Sequence, residues 1–294
     1  MKFDTILAII TQNNRPINTI SMLFIILLAI HPAVCITVAA ALPNVHATTY
    51  YPWAMIGHDS AHTGYENGTP APRSYVSAWN ATLSGIAFFS DSVVSNGVLY
   101  IGTADGNVYA INATTGAKIW NASFPTAFWT TPAVAENKVF IAGVNGMVYA
   151  LNASTGVKIW NYTTAGPIGF SSPTVAEDKV FICSGDKCIY VLDINTGVKA
   201  WSKNMSYEIY TTPAVSDGKV YFATNYGRIY CYSSSNGAYQ WVSTINISDP
   251  NSLVTTSPVV AGDKVFIGSY YYNKTYALNK DTDAKIWGYD TGAR

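Results

Sequence analysis

Side chains able to do chemistry are sparse in this sequence of 294 residues, and they gather in a few places. His58, Asp59 and His62 are spaced so that a metal ion can be imagined between them. A stable site would need a third or fourth ligand on a preformed scaffold, so the adopted reading is a packed, hydrogen-bonded segment with no metal. Cys183 and Cys188 flank Ser184-Gly185-Asp186-Lys187 and read as facing positions of a hairpin, which predicts a cross-strand disulfide in an oxidising compartment. A metal alternative at this hairpin would need further ligands that it does not offer. Cys231 reads as a small buried hydrophobe. Phe89, Trp129, Phe170 and Tyr210 recur about every 40 residues, with Thr255 breaking the series. Rings repeated around one axis make a candidate ligand platform for sugars or apolar partners, and they would equally fill contacts between neighbouring repeats.

The elements that must position these residues are repeats. Lys138 to Trp160, KVFIAGVNGMVYALNASTGVKIW, recurs as Val98 to Trp120, Lys179 to Trp201, Lys219 to Trp241 and Lys264 to Trp287. Trp79 and the five closing tryptophans stand 41, 40, 41, 40 and 46 residues apart, the signature of an array of one supersecondary unit. Within a copy the period is two. Asn145-Gly146, and Asp105-Gly106 one copy earlier, suit a two-residue hairpin turn whose central residues both take positive φ. Asn152 to Gly156 reads as a second turn, with the Asn side chain bonding nearby backbone and Gly in the left-handed region. With Thr130 to Val134, where Pro132 can start a strand, each copy has four short strands. The expected fold is all-β: a β-propeller of four-stranded antiparallel blades.

The pattern [ST]-[ST]-P-x-V, K-V-[FY]-[IF], then G-x-[VI]-Y-[AV]-[LI]-[ND]-x-x-T-G-x-K-x-W resembles the pyrroloquinoline quinone (PQQ) repeat propellers, from about Trp53 to Trp287. That family includes quinoprotein alcohol dehydrogenases and non-enzymatic relatives such as the β-barrel assembly lipoprotein, so the resemblance speaks for fold more than for function. It implies that the blade-closing tryptophans, Trp79, Trp120, Trp160, Trp201, Trp241 and Trp287, serve inter-blade docking. The segment Trp53 to Gly64 is similar to the W-x-M-x-G-H-D-x-x-H-T-G lead-in found ahead of many such propellers. The dehydrogenases also imply a carboxylate base and calcium ligands around PQQ on the axis. None can be matched here: the connections entering each first strand carry only Asp91, Glu208 and Asp249 as acids. Alcohol oxidation then lacks its base and its Lewis acid, and no cofactor or catalytic residue is expected; PQQ with calcium is the alternative.

Charged residues make up 12% of the chain, the formal net charge is zero and no basic block occurs, which argues against nucleic acid as a partner. Residues 1–47 read as a secretory signal: Lys2 and Arg15 precede an apolar run from Ile20 to Leu42, and Val45-His46-Ala47 offers small residues for cleavage. Left uncut, residues 20–42 are long enough to anchor the chain in a membrane. Residues 48–74 are the lead-in and 75–294 the propeller. Ser74 to Asn80 matches only the last strand of a blade, and five full copies follow. This lone strand has no blade to complete, so a propeller shortened from a seven- or eight-bladed ring is the expectation; a five-bladed ring with a spare strand, or closure by a partner, are the alternatives. Nine Asn-x-Ser/Thr sequons occur, against roughly four from composition alone. Asn112 and Asn152 lie where turn chemistry alone places them. Asn80, Asn121 and Asn161 directly follow a tryptophan, where no turn requires Asn, and are the glycosylation candidates. Together these readings describe an exported or surface-anchored, non-catalytic module binding a protein or glycan, with a PQQ-dependent oxidoreductase as the alternative.

Overall fold

The computed structural model describes residues 34–38, 55–56, 59–62, 79–87, 89–244, 256–269 and 273–292. His58, Thr255, Asp249, the sequons at Asn67 and Asn246, and the leader apart from Val34–Val38 lie outside these residues. The chain is all-β, with no α-helix among the described residues. Among the described residues, five four-stranded antiparallel meanders follow one another. Their strands are Val93–Ser95, Val98–Gly102, Asn107–Asn112 and Lys118–Ser123 in blade 1; Ala133–Ala135, Lys138–Ala142, Met147–Asn152 and Lys158–Thr163 in blade 2; and Thr174–Ala176, Lys179–Cys183, Cys188–Asp193 and Lys199–Asn204 in blade 3. Blade 4 comprises Ala214–Ser216, Lys219–Ala223, Arg228–Ser233 and Tyr239–Thr244, and blade 5 Val259–Ala261, Lys264–Ser269, Lys274–Asn279 and Lys285–Asp290.

The second and third strands of blades 1 to 4 are buried on both faces, because each blade is packed between neighbours; only the fourth strand shows alternation, with its tryptophan inward in these four blades. The hydrophobic clusters accordingly lie between blades. Phe140, Ala142, Val148 and Trp160 of blade 2 meet Val180, Ile182, Tyr190 and Leu192 of blade 3 in one of them. The tryptophans fasten these interfaces. Each indole N–H donates to a turn carbonyl of the following blade: Trp79 to Ala113 (2.9 Å), Trp120 to Ala153 (2.8 Å), Trp160 to Ile194 (3.1 Å), Trp201 to Ser234 (3.0 Å) and Trp241 to Lys280 (3.0 Å). The ring lies on the turn glycine, so a Cβ added at Gly156 or Gly197 would come within 2.6 or 2.7 Å of the indole. Trp287 belongs to the same series but is 41% exposed, against 6 to 9% for Trp120, Trp160, Trp201 and Trp241.

Two turn types differ from the sequence reading. At Asp105-Gly106 and Asn145-Gly146 only the glycine has positive φ; the loop holds three residues, closed by Gly106 N–H to Thr103 O (3.1 Å) and Thr103 N–H to Asn107 O (2.9 Å). Two-residue turns with both residues left-handed occur instead between first and second strands, at Asn96-Gly97, Glu136-Asn137, Glu177-Asp178 and Asp217-Gly218. The Asn152 turn forms as read, its side-chain oxygen accepting from Ser154 and Thr155 N–H, both at 3.0 Å.

The three-residue loop also changes the reading of the cysteines. Cys183 pairs with Ile189, and Cys188 lies opposite Ser184, one position out of register. A one-residue offset sends the two side chains to opposite faces of the sheet. Cys183 packs toward blade 4 and Cys188 toward blade 2, and both are free thiols. Within the stretch that reads as a secretory signal, Val34–Val38 pairs antiparallel with Trp79–Leu83, the first strand of the repeat region. An unpaired strand edge is a template for any apolar, β-branched segment, and Val-Cys-Ile-Thr-Val is one.

Candidate functional site

The connections that enter the first strands converge at one end of the axis, and the [ST]-[ST]-P element builds them. Its first hydroxyl ties the entry to its own blade: Thr130 Oγ1 donates to Ala142 O (2.8 Å), and Thr211 Oγ1 to Ala223 O (3.0 Å). Its second hydroxyl accepts a backbone N–H from the preceding blade: Asp91 N–H to Thr131 (3.1 Å), Thr131 to Ser172, Ser172 to Thr212 and Thr212 to Ser257 (each 2.9 Å). A belt of side-chain hydroxyls therefore links all five blades around the axis. The repeated motif was visible in the sequence, but which blade each hydroxyl serves was not.

The aromatic series stands above this belt as one contiguous cluster. Phe89 meets Trp129 edge-on at 6.3 Å and Phe170 at 5.8 Å, and Phe170 meets Tyr210 at 5.6 Å. Phe89 is 62% exposed and Phe170 52%. Phe89 also has φ of +58°, a region that a bulky side chain rarely occupies. At the blade 4 side of the cluster, Tyr210 donates to Glu208 Oε2 at 2.5 Å, and this bond to a carboxylate, with partial burial, pushes its pKa up to about 12. Asn225 Nδ2 donates to the same oxygen at 3.3 Å. Tyr207 and Tyr226 stack at 4.1 Å, with the Arg228 guanidinium 5.2 Å from the Tyr207 ring. The sequence reading missed this second group. Its signal was Tyr226, which takes the hairpin slot held by Asp105, Asn145 and Asp186 in blades 1 to 3.

Residues 60–62 of the lead-in bond to the innermost strands and their entries. Ser60 O accepts from Val215 N–H at 2.6 Å while its hydroxyl donates to Val215 O at 3.0 Å, and Ala61 O accepts from Val260 N–H at 2.8 Å. His62 Nδ1 donates to Pro258 O (3.0 Å), and its Nε2 lies 3.3 Å from Thr174 Oγ1, so one imidazole bridges blades 5 and 3. Burial lowers its pKa to about 4, outweighing the carbonyl contact and the Asp59 charge. The histidine is thus a neutral structural bridge across the axis. Asp91, at the belt, is pushed up by burial, which disfavours its anionic form.

On the opposite, outer side of the blades Asn80, Asn121 and Asn161 are exposed on the strands farthest from the axis.

The family model described as outer membrane protein assembly factor BamB matches residues 66–289. No curated protein matches the chain in sequence. Among solved structures, BamB from Moraxella catarrhalis superposes with a TM-score of 0.64 at 24% identity, covering 74% of this chain and 67% of that one. A europium-containing methanol dehydrogenase gives 0.70 at 16% identity, over 82% of this chain and 58% of its own length. The quinohemoprotein alcohol dehydrogenase from Comamonas testosteroni gives 0.71 at 16%, over 82% and 49%. The chain thus spans about half the length of these dehydrogenases, and at such identities the likeness is one of fold.

Proposed function

The chain belongs to the family of the outer membrane protein assembly factor BamB, and on that premise we propose that it is an exported, non-catalytic interaction module that receives a protein segment on its aromatic mouth. The observation that carries this reading is Phe89: a large apolar side chain held in solvent by a left-handed backbone, in contact with rings from two other blades. Backbone strain at an exposed residue persists where the presented side chain has a use. The exposed part of the cluster is mostly hydrocarbon, which suits apolar side chains of a polypeptide better than the hydroxyl-rich edge of a sugar.

The oxidoreductase alternative needs a planar quinone and a cation on the axis. The residues present do not fit that group: Ser60, Ala61 and His62 bond to the innermost strands and entries of blades 3, 4 and 5, Asp91 is shifted toward its neutral form, and Glu208 is committed to Tyr210 and Asn225. A photoreactive residue at position 170 tests the module in the producing cells. The expected result is a discrete protein adduct that is lost in Phe89→Ala; absence of any adduct in folded, exported protein overturns the reading. Titration with PQQ and calcium is expected to leave the melting temperature unchanged. Saturable binding with a raised melting temperature would restore the oxidoreductase.

A further inference from the structure

We propose that Asn80, Asn121 and Asn161 carry N-linked glycans that form a girdle on the outermost strands of the molecule. Each follows a blade-closing tryptophan, in Asn80-Ala-Thr82, Asn121-Ala-Ser123 and Asn161-Tyr-Thr163. The strand period of two turns the tryptophan inward and both sequon ends outward: Asn80 and Thr82, Asn121 and Ser123, and Asn161 and Thr163 are all exposed, while the residue between them is partly covered. The three asparagine side chains reach no hydrogen-bond partner among the described residues. Of the other sequon asparagines among the described residues, Asn112 and Asn152 accept two backbone N–H groups each, Asn204 Nδ2 donates to Asp186 O and Cys188 Sγ, and Asn273 is a partly covered turn residue with φ of +47° that follows no tryptophan.

The rim has a physical use for glycans. In blades 1 and 2 the strand bearing the sequon pairs on one side only, leaving its outer edge open, and Ile119, Val157 and Ile159 are exposed beside it. A chain with zero net charge and only 12% charged residues has little electrostatic repulsion to prevent edge-to-edge association. A bulky hydrophilic group on the same strand blocks that approach. In the transfer, the asparagine Nδ2 attacks C1 of a polyprenyl-phosphate-linked oligosaccharide. The C1–N bond forms, the C1–O bond to phosphate breaks, the amide loses one proton to a base, and the lipid phosphate leaves.

The inference rests on the exported location proposed above. Protein purified from the producing cells after fractionation is digested, and its glycopeptides are mapped by mass spectrometry. The expected result is a sugar mass on the peptides containing Asn80, Asn121 and Asn161, none on Asn112 or Asn152, and loss of three increments in the intact mass of the N80Q/N121Q/N161Q variant. Unmodified asparagines in protein recovered outside the cytoplasm overturn the girdle alone, as do sugars confined to Asn112 and Asn152. A chain confined to the cytoplasm overturns the girdle together with the export reading.

Discussion

Phe89 and His62 serve the site by opposite means, one exposed and the other buried. A non-glycine residue in the left-handed region costs roughly 1 kcal/mol, and Phe89 bears that cost at a site where it meets Trp129 and Phe170 edge-on and is 62% exposed. Phe89→Gly removes both the strain and the contacts, so stability is expected to change by no more than about 1 kcal/mol, against about 3–5 for truncating a buried Phe. Chemical denaturation measures this; a loss of several kcal/mol would assign Phe89 to packing instead of binding. His62 is buried and neutral, with its pKa lowered to about 4. Below the ordinary histidine value of about 6.5 the unfolded chain takes up a proton that the folded one refuses. The contribution of His62 to stability is therefore complete above pH 6.5 and is lost as pH falls toward 4, by about 2 kcal/mol at pH 5. Melting curves at pH 7.5 and 5 are expected to show this loss, and His62→Gln to flatten it.

At the scale of the element, the blade is a device for seating a tryptophan on the next blade's turn. Gly197 has φ of +70° and lies against Trp160, whose N–H donates to Ile194 O. Gly197→Ala meets both the indole and an unfavourable φ, and an expected loss of about 2 kcal/mol follows. Trp160→Phe leaves Ile194 O without its donor, for about 1–2 kcal/mol. The two changes share one contact, so the double variant should fall short of their sum, which denaturation of the four proteins checks; strict additivity would mean that ring and glycine act separately. Much of this element was legible in advance. Trp spacing, the turn residues and the strand period mark the blade because each is a local demand of the chain. The cysteine pair was misread because register depends on loop length: one added loop residue moves Cys188 opposite Ser184 and sends the two thiols to opposite faces. Tyr207, Tyr226 and Arg228 escaped notice because Tyr207 comes from the connection between blades while Tyr226 and Arg228 come from a hairpin turn and the strand after it, a meeting that no local period reports.

For the whole molecule the relevant asymmetry is between blades with two neighbours and blade 5. The outward face of blade 5 has no neighbouring blade among the described residues: Trp287 is 41% exposed, Phe266 is only partly covered, and every residue of Lys285–Asp290 is exposed. Tyr289 shows the difference most directly, since its counterpart Tyr162 packs on Tyr190 of the next blade at 5.7 Å while Tyr289 is among the exposed hydrophobics. In an array of repeats, stability is close to a sum of unit terms and nearest-neighbour interfaces, so a blade with one interface opens more readily than one with two. The hydroxyl belt tempers this at the axis, because Thr212 N–H still donates to Ser257 and Val260 N–H to Ala61 O on the inner side of blade 5. Opening is therefore expected to start at the outer strand and to stop before the innermost one. Hydrogen exchange should show the amides of Lys285–Asp290 exchanging fastest among the fourth strands, with those of Lys158–Thr163 protected far longer and Val260 held nearly as well as the interior blades. Equal protection of Lys285–Asp290 and Lys158–Thr163 would mean that something covers the outward face of blade 5 in solution, and the labelled amides would show where it sits.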